Sequence, residues 1–465
     1  MTRRTTALIC TLVLACTLGA CGGSGNSDAP AGITAARTYA VGGSVSGVGI
    51  SGLKLTNHGG NELALDSAGA FTFSTELADG ASYDVQVSQN PTAPAQVCTV
   101  ANGQGTVASA KVGNVDVVCS ILTLTITGMA STNPGGTPVL TFVARKNGVP
   151  LDLMANPLSS LKATLSGPTS DFADFRQFTI QGTGAMWTLM AVDAANGIFS
   201  YTFPVPMPSN AIGSFSVGLE GSVTDGAHPG VRYSAPSVVQ AFAVTDASPV
   251  ARRTVVDDAK CNACHASFTA HAGTARNVQY CAMCHNANLS NDTRVARFED
   301  STIVSQAMDL KVLIHKIHRG TSLSQQPYVI GSSPVPTPGN PAGTPVNYGL
   351  VNHTGDLGAC KTCHLANTYD IPLAQGVLPS TTRVFTCTEP RAADANDYCD
   401  APNWALSGAP TVTPPITAVC TSCHDTAHAA AHAITMTTAA GAESCATCHR
   451  VGAANGIDVY HRLAP

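Results

Sequence analysis

The sequence predicts a chain that is mainly β in its N-terminal half, as two small sandwich- or barrel-like domains. A C-terminal domain of short helices and irregular backbone follows, one that must fill its interior with something other than side chains. Three observations lead there. Short alternating runs separated by Gly, Asn and Asp dominate residues 38–250. Beyond residue 250 that periodicity fades, and about 215 residues remain with few strong helix or strand patterns. In the same place Cys and His concentrate: 12 of the 17 cysteines and 12 of the 14 histidines lie there. A length of 465 residues is too much for one ordinary domain. A net charge of −5 gives no basic footprint for nucleic acid.

Residues 1–20 read as an export signal: Arg3 and Arg4 precede the apolar run "ALICTLVLACTLGA", which is too short to span a bilayer. "LGAC", Leu18 to Cys21, followed by "GGSGNSDAPAG", resembles a bacterial lipoprotein signal, in which Cys21 is acylated and becomes the first mature residue. "VLAC" at Cys16 is a second possible site, but the Gly/Ser-rich tether over 21–37 favours Cys21. Residues 38–120 alternate in runs such as "FTFST" and "SYDVQVS" and predict a β-sandwich. This segment resembles a β-domain found near the N-terminus of bacterial surface lipoproteins. Residues 121–250 predict a second β-module from "LTLTITG", "VLTFVARKNGVPL", "GIFSYTFPVP" and "GSFSVGLEGSV", with "KNG" and "ANG" as hairpin-type turns. His58 and His228 sit in Gly- or Pro-flanked turns and read as solvated loop residues. In an oxidising compartment Cys98 with Cys119, and Cys387 with Cys399, read as two disulfides.

Residues 251–465 carry the chemistry. "CNACH", "CAMCH", "CKTCH", "CTSCH" and "CATCH" are five copies of C-x-x-C-H, the attachment signature of c-type haem. The cysteine pairs are Cys261 and Cys264, Cys281 and Cys284, Cys360 and Cys363, Cys420 and Cys423, and Cys445 and Cys448. Each pair forms thioethers to one porphyrin, and the next residue sits beneath the iron: His265, His285, His364, His424 and His449. A zinc site would need paired C-x-x-C units and no histidine after each one. A thioredoxin-like motif would appear once, on a βαβ frame. Five haems need up to five further ligands, and seven histidines remain: His271, His315, His318, His353, His428, His432 and His461. Met308 and Met436 are available too, but the histidines suffice. His315 and His318, three apart in "LIHKIHRG", share one helical face and cannot sit on opposite sides of one iron, so each is expected to cap a different haem.

The stretches "CNACHASFTAHAG", "LIHKIHRG", "CKTCHLANTYDIPLAQGVLPS" and "CTSCHDTAHAAAHA…ESCATCH" resemble the outer-membrane decahaem cytochromes of the OmcA/MtrC family. That family alternates a β-module with a pentahaem module, twice over. Here the likeness covers about residues 121–465 as one such pair, with an extra β-domain in front and a Cys387–Cys399 pair inside the haem module. The resemblance implies His271, His315, His318, His432 (His428 the runner-up) and His461 as distal ligands. It leaves His353 as a loop residue. It implies extracellular electron acceptors such as metal oxides, chelates or flavins, an outer-membrane location facing the cell surface, and other multihaem cytochromes or a porin–cytochrome conduit as partners. Whether this is an electron carrier alone or also a terminal metal reductase is left open. The alternative expectation is a multihaem reductase of a small oxyanion with one open iron. The haem module has 14 Lys and Arg against 15 Asp and Glu, so no strongly basic docking face is expected.

Overall fold

The computed structural model describes residues 37–47, 50–91, 96–184, 189–224, 232–265, 268, 270–271, 275–291, 305–330, 346–387 and 404–461. The proposed signal, Cys21, His228 and Cys399 lie outside these residues.

Two sheets close on one core in the first β-unit. One runs Gly69–Thr72, Val41–Ser46, Val112–Ser120, Val97–Ala101; the other runs Gly60–Leu65, Leu53–Asn57, Ser82–Gln89, Gln104–Thr106. Alternation explains the packing: along Leu53–Asn57 every second side chain is buried, so Leu53 and Leu55 enter the core beside Val41, Phe73, Val85 and Val117. The last long strand lies parallel to the first, Val117 opposite Val45, while the other face of Val112–Ser120 pairs antiparallel with Val97–Ala101. That pairing sets Cys119 directly across from Cys98, and the two form a disulfide. His58 stands in a left-handed turn with Nε2 2.9 Å from the Ser82 carbonyl oxygen.

The second β-unit is antiparallel throughout. One sheet orders Leu122–Ala130, Val139–Lys146, Ile198–Thr202 and Leu189–Asp193; the other orders Asp174–Gln181, Ser160–Gly167, Ser214–Thr224 and Arg232–Ser234, with Val238–Ala243 also on Ser214–Thr224. Their inner faces share Leu140, Phe142, Leu161, Phe199, Tyr201 and Leu219. "KNG" forms the expected tight hairpin, Asn147 and Gly148 both having positive φ. "ANG" differs. Asp193 accepts the Asn196 N–H, so the link becomes one 3₁₀ turn, Ala194–Asn196, ended by Gly197 in the left-handed region.

The C-terminal region is made of short helices: α1 (Asp258–Asn262), α2 (Val278–Cys284), α3 (Leu310–Arg319), α4 (Pro415–Thr421), α5 (Ala427–Thr435), α6 (Ala446–His449) and α7 (Ile457–Tyr460). Among the described residues no helix is long and apolar enough to cross a membrane. Within the stretch 385–417, which reads as irregular in sequence, the described residues before position 414 form short paired strands. Ser380–Thr382 pairs with Thr411–Thr413 and Phe385–Cys387 with Trp404–Leu406, so Cys387 stands opposite Trp404. Runs of three residues are too short to register as strand periodicity, and pairing across about thirty residues supplies the order instead.

The second sheet of the second β-unit also holds the C-terminal region in place. Strand Ser214–Thr224 is buried on both faces, because its outer face carries α2. A Cβ at Gly218 would lie 2.6 Å from the Tyr280 ring, so the glycine is what lets the helix approach. Tyr280 OH and Thr164 Oγ1 share a 3.0 Å hydrogen bond, and Ser166 Oγ donates to the Met283 carbonyl at 3.1 Å. A second fastening is ionic: the buried Asp171 carboxylate meets Arg252 at 3.0 Å and Arg253 at 3.1 Å and accepts the Leu378 N–H at 2.9 Å. Burial works to raise the Asp171 pKa. Arg252, the Leu378 N–H and Arg253 outweigh it, and the net shift is below the ordinary 3.8.

Asp171→Asn should therefore cost about 3 kcal/mol, because two cations lose their anion in a half-dry site. A folded pKa below the unfolded one gives a contribution present above the unfolded value and lost as pH falls through the folded value. Denaturation curves should show the variant's full deficit at about pH 7 and a deficit that shrinks as the pH falls below 3.8. A deficit independent of pH would assign the loss to packing rather than charge.

Candidate haem-binding site

All five C-x-x-C-H motifs adopt one local shape. The histidine N–H donates to the carbonyl of the first cysteine, four residues back, at 3.0 Å for His265, 2.8 Å for His285, 2.9 Å for His364, 2.8 Å for His424 and 2.9 Å for His449. Each motif is thus a single helical turn. Residues i, i+3 and i+4 of a turn share a face, so both sulfurs and the imidazole point to the same side. The turn is part of a named helix in the first, second, fourth and fifth motifs and a 3₁₀ turn, Cys360–Thr362, in the third. The spacing thereby produces the geometry that two thioethers and one axial nitrogen require.

Each motif histidine faces another imidazole. Ring centroids are 6.1 Å apart for His265 and His318, 6.0 Å for His285 and His271, 5.9 Å for His364 and His315, 5.9 Å for His424 and His461, and 6.1 Å for His449 and His432. Two metal–nitrogen bonds of about 2 Å plus the half-width of two rings come to about 6 Å, so each gap has the width that one six-coordinate iron fills. His315 and His318 face different motifs, the third and the first. His271 reaches the second motif from a left-handed residue in the turn between bridged Ala270 and Ala275. Between His428 and His432 on α5, it is His432 that the structure places against His449. Met308 is buried, and its carbonyl lies 2.9 Å from Nδ1 of His285; the Met436 sulfur takes a 3.8 Å contact from Ser444 Oγ.

Protonation is controlled at the far side of the rings. Nδ1 lies 2.9 Å from the Met308 carbonyl in His285, from the Asn455 carbonyl in His449, and from the Ile314 carbonyl in His318. A carbonyl only accepts, so Nδ1 carries a proton, and in the neutral ring this leaves the Nε2 lone pair for a metal. Nδ1 of His315 is buried without a hydrogen bond among the described residues. Burial lowers the pKa of His315, with the Lys311 carbonyl acting against it and His318 with it. Burial also takes His364 down to about 4, with His315 adding to the effect. Both remain neutral imidazoles, the form that coordinates.

The motifs are fastened to one another in a definite order. Asp258 on α1 accepts the Val278 N–H of α2 at 2.7 Å, joining the first motif to the second. Lys260 donates to the Lys361 carbonyl at 2.9 Å, and the Leu365 N–H to the Val255 carbonyl at 2.9 Å, joining the first to the third. Burial raises the Cys423 thiol; Arg319 opposes that, and the nearby Cys360 of the third motif adds to it. Asp425, next to His424, accepts the N–H groups of Ser324 and Gln325 at 2.9 and 2.7 Å, so the fourth motif is tied to the exit of α3. Glu443 accepts from Ile416 N–H at 2.9 Å, Thr417 N–H at 2.6 Å and Thr417 Oγ1 at 2.7 Å. It caps α4, whose own N-cap position is Pro414, and ties the fifth motif to the fourth. None of these polar staples carries a sequence signal, because each is a single carboxylate or lysine meeting backbone far along the chain.

Residues 253–462 match the family described as outer membrane cytochrome MtrC/MtrF-like, domains II/IV. Over this stretch the chain is similar to the outer-membrane cytochromes of the MtrC/MtrF type. A curated relative, the multihaem cytochrome MtrC of Shewanella baltica (strain OS185), is 26% identical over 184 residues, 38% of this chain and 21% of the relative. The crystal structure of MtrC from Shewanella baltica OS185 aligns at 15% identity and TM-score 0.40, over 71% of this chain and 51% of that one. That of the outer-membrane decahaem cytochrome OmcA aligns at 17% identity and TM-score 0.38, over 74% and 48%. The chain thus spans about half the length of these solved relatives. Their family implies covalently bound c-type haems, and the cysteine spacing for them is present here.

Glu443→Gln should weaken the tie between the fourth and fifth motifs, with a loss of about 1–2 kcal/mol from a charge-assisted cap. Hydrogen exchange at Ile416 and Thr417 should accelerate before exchange in the β-units does. Unchanged protection at those two amides would mean that the cap is redundant.

Proposed function

We propose that this protein is a lipid-anchored pentahaem cytochrome that carries electrons from the cell envelope to acceptors outside the cell. The five imidazole pairs, each 5.9–6.1 Å across, carry this reading. The residues that would hold the haems are the ten motif cysteines, with His265 and His318, His285 and His271, His364 and His315, His424 and His461, and His449 and His432. When bound, c-type haems supply one-electron redox chemistry, and the protein contributes ligands, spacing and exposure. With a histidine on both sides of every gap, no position is left for a substrate to coordinate, which disfavours the oxyanion-reductase alternative. Histidine pairs without methionine also favour low potentials.

The fastenings place the attachment turns in the order second, first, third, fourth, fifth, a continuous row. Helix α3 is the hinge of that row, since it supplies an imidazole to the first motif and the third and its exit is held by the fourth. The family likeness supports an outer-membrane location and partnership with other multihaem cytochromes or a porin–cytochrome conduit. Acylation at Cys21 would supply the anchor, with the tether over 22–37 giving reach. Metal oxides, chelates and flavins are the proposed acceptors, and a role as terminal metal reductase would follow from direct contact with an oxide.

Pyridine-haemochrome analysis and intact mass should give five covalent haems per chain. His315→Ala should keep all five and convert one low-spin iron to high spin in electron paramagnetic resonance, because attachment needs only the thioethers. Four haems in the mature protein, or an unchanged low-spin signal, would sink the ligand assignment. Separately, Cys21→Ala should release the cytochrome from the membrane fraction. A variant that stays there with lipid attached would place the anchor at another residue.

A further inference from the structure

His353 lies outside the five pairs. The sequence reading leaves it as a loop residue, and it does stand on irregular backbone, but its place is not arbitrary. Helix α3 ends at Gly320, whose φ of +39° and whose contact with the next segment both require glycine: a Cβ there would fall 1.9 Å from the Val351 carbonyl oxygen. The Thr321 N–H donates to that same carbonyl at 2.9 Å. Residue 351 is thereby pinned to the end of the helix that bears His318, and two residues later the chain delivers His353. Its ring stands edge-on to His318, with centroids 5.3 Å apart and planes at 88°. That is closer than the 6.1 Å separating His318 from His265 across the gap. On the other side, Gly355 makes room: a Cβ there would lie 2.7 Å from Nε2 of His353.

We infer that His353 is a reserve axial ligand for the iron of the first motif, able to take the position opposite His265 when His318 leaves it. This rests on the ligand reading above. The exchange breaks one iron–nitrogen bond, to His318, and forms one, to His353; the iron keeps its oxidation state, and a neutral imidazole replaces a neutral imidazole. Among the described residues, the pairs His364–His315, His424–His461 and His449–His432 show no third histidine ring in contact. The first motif is the middle of the second–first–third run, where loss of an axial ligand would interrupt the row.

The test compares His318→Ala with His318→Ala/His353→Phe, the phenylalanine keeping ring bulk without a nitrogen. Each protein is first counted for covalent haem. With five haems present, the single variant should keep every iron low-spin, with one set of g-values altered, and the double variant should convert one iron to high spin. His315→Ala, whose pair has no such neighbour, gives the high-spin reference signal. A high-spin iron already present in His318→Ala overturns the inference. So does a double variant that stays fully low-spin, because another group is then the ligand. A wild-type protein lacking haem at the first motif would instead remove the ligand reading itself, and the haem count separates that result from the others.

Discussion

Everything in the C-terminal half depends on holding two imidazoles about 6 Å apart, five times over, on a backbone with little regular structure. An imidazole coordinates only with a free lone pair, so the constraint concerns protons as much as distance. The structure meets it with backbone carbonyls. Those of Met308, Asn455 and Ile314 each sit 2.9 Å from an Nδ1 and fix the tautomer from behind. In the cases of His315 and His364 burial does the same work, by making the charged form costly. The short helices are a consequence. One turn suffices to bring two sulfurs and a ring to one side, and a longer helix would add residues with nothing to pack against.

Such a region cannot be stabilised as an ordinary domain is. Its buried apolar clusters are small: one joins Phe172 to Tyr280 and Met283, another gathers Met308, Leu313, Leu323, Tyr328 and Ile330. The first is shared with the second β-unit, and the Asp171 clasp reinforces it. The β-unit therefore acts as a foundation. Its large two-sheet core supplies rigidity, and its outer face, opened by Gly218, carries α2 with Cys281 and Cys284. From there each motif is fastened to the next by a polar staple, so order spreads outward from the β-unit through α1 and α3 to Glu443.

What was legible in the sequence follows from how local each feature is. The alternation in "SYDVQVS" and the turn residues of "KNG" act within a few residues, and the strands formed where they point. The C-x-x-C-H spacing is local too, and it dictates the turn seen in all five motifs. The histidines His271, His315, His318, His432 and His461 could be named as candidates, but which ring faces which motif is set by contacts across the chain, such as Asp425 on Ser324 and Gln325. Three features had no local signal at all. The strands joining 380–387 to 404–413 rest on pairings of three residues each. The docking of Tyr280 depends on a missing side chain at Gly218. The approach of His353 to His318 depends on another at Gly320, where a glycine after a helix reads as an ordinary C-cap.

The two ends of the row differ in a way that would bear on how electrons enter and leave it under the proposed function. The second motif is covered: burial holds the Cys284 thiol up to about 12, with Glu220 and Cys281 adding and Lys162 opposing, so strand residues of the β-unit lie against it. At the other end Cys448 is exposed, and on α5, which carries His432, Ile434 is 73% exposed. A covered end approaches a partner only through the β-unit or along its flank, while an open end can meet a large, flat or variable surface directly. In a low-dielectric setting a change of charge is costly, and next to water it is screened. With haems bound, the same ligand set would then give unlike potentials at the covered and open ends. The asymmetry arises from where the β-unit docks, and that in turn comes down to a glycine facing a tyrosine.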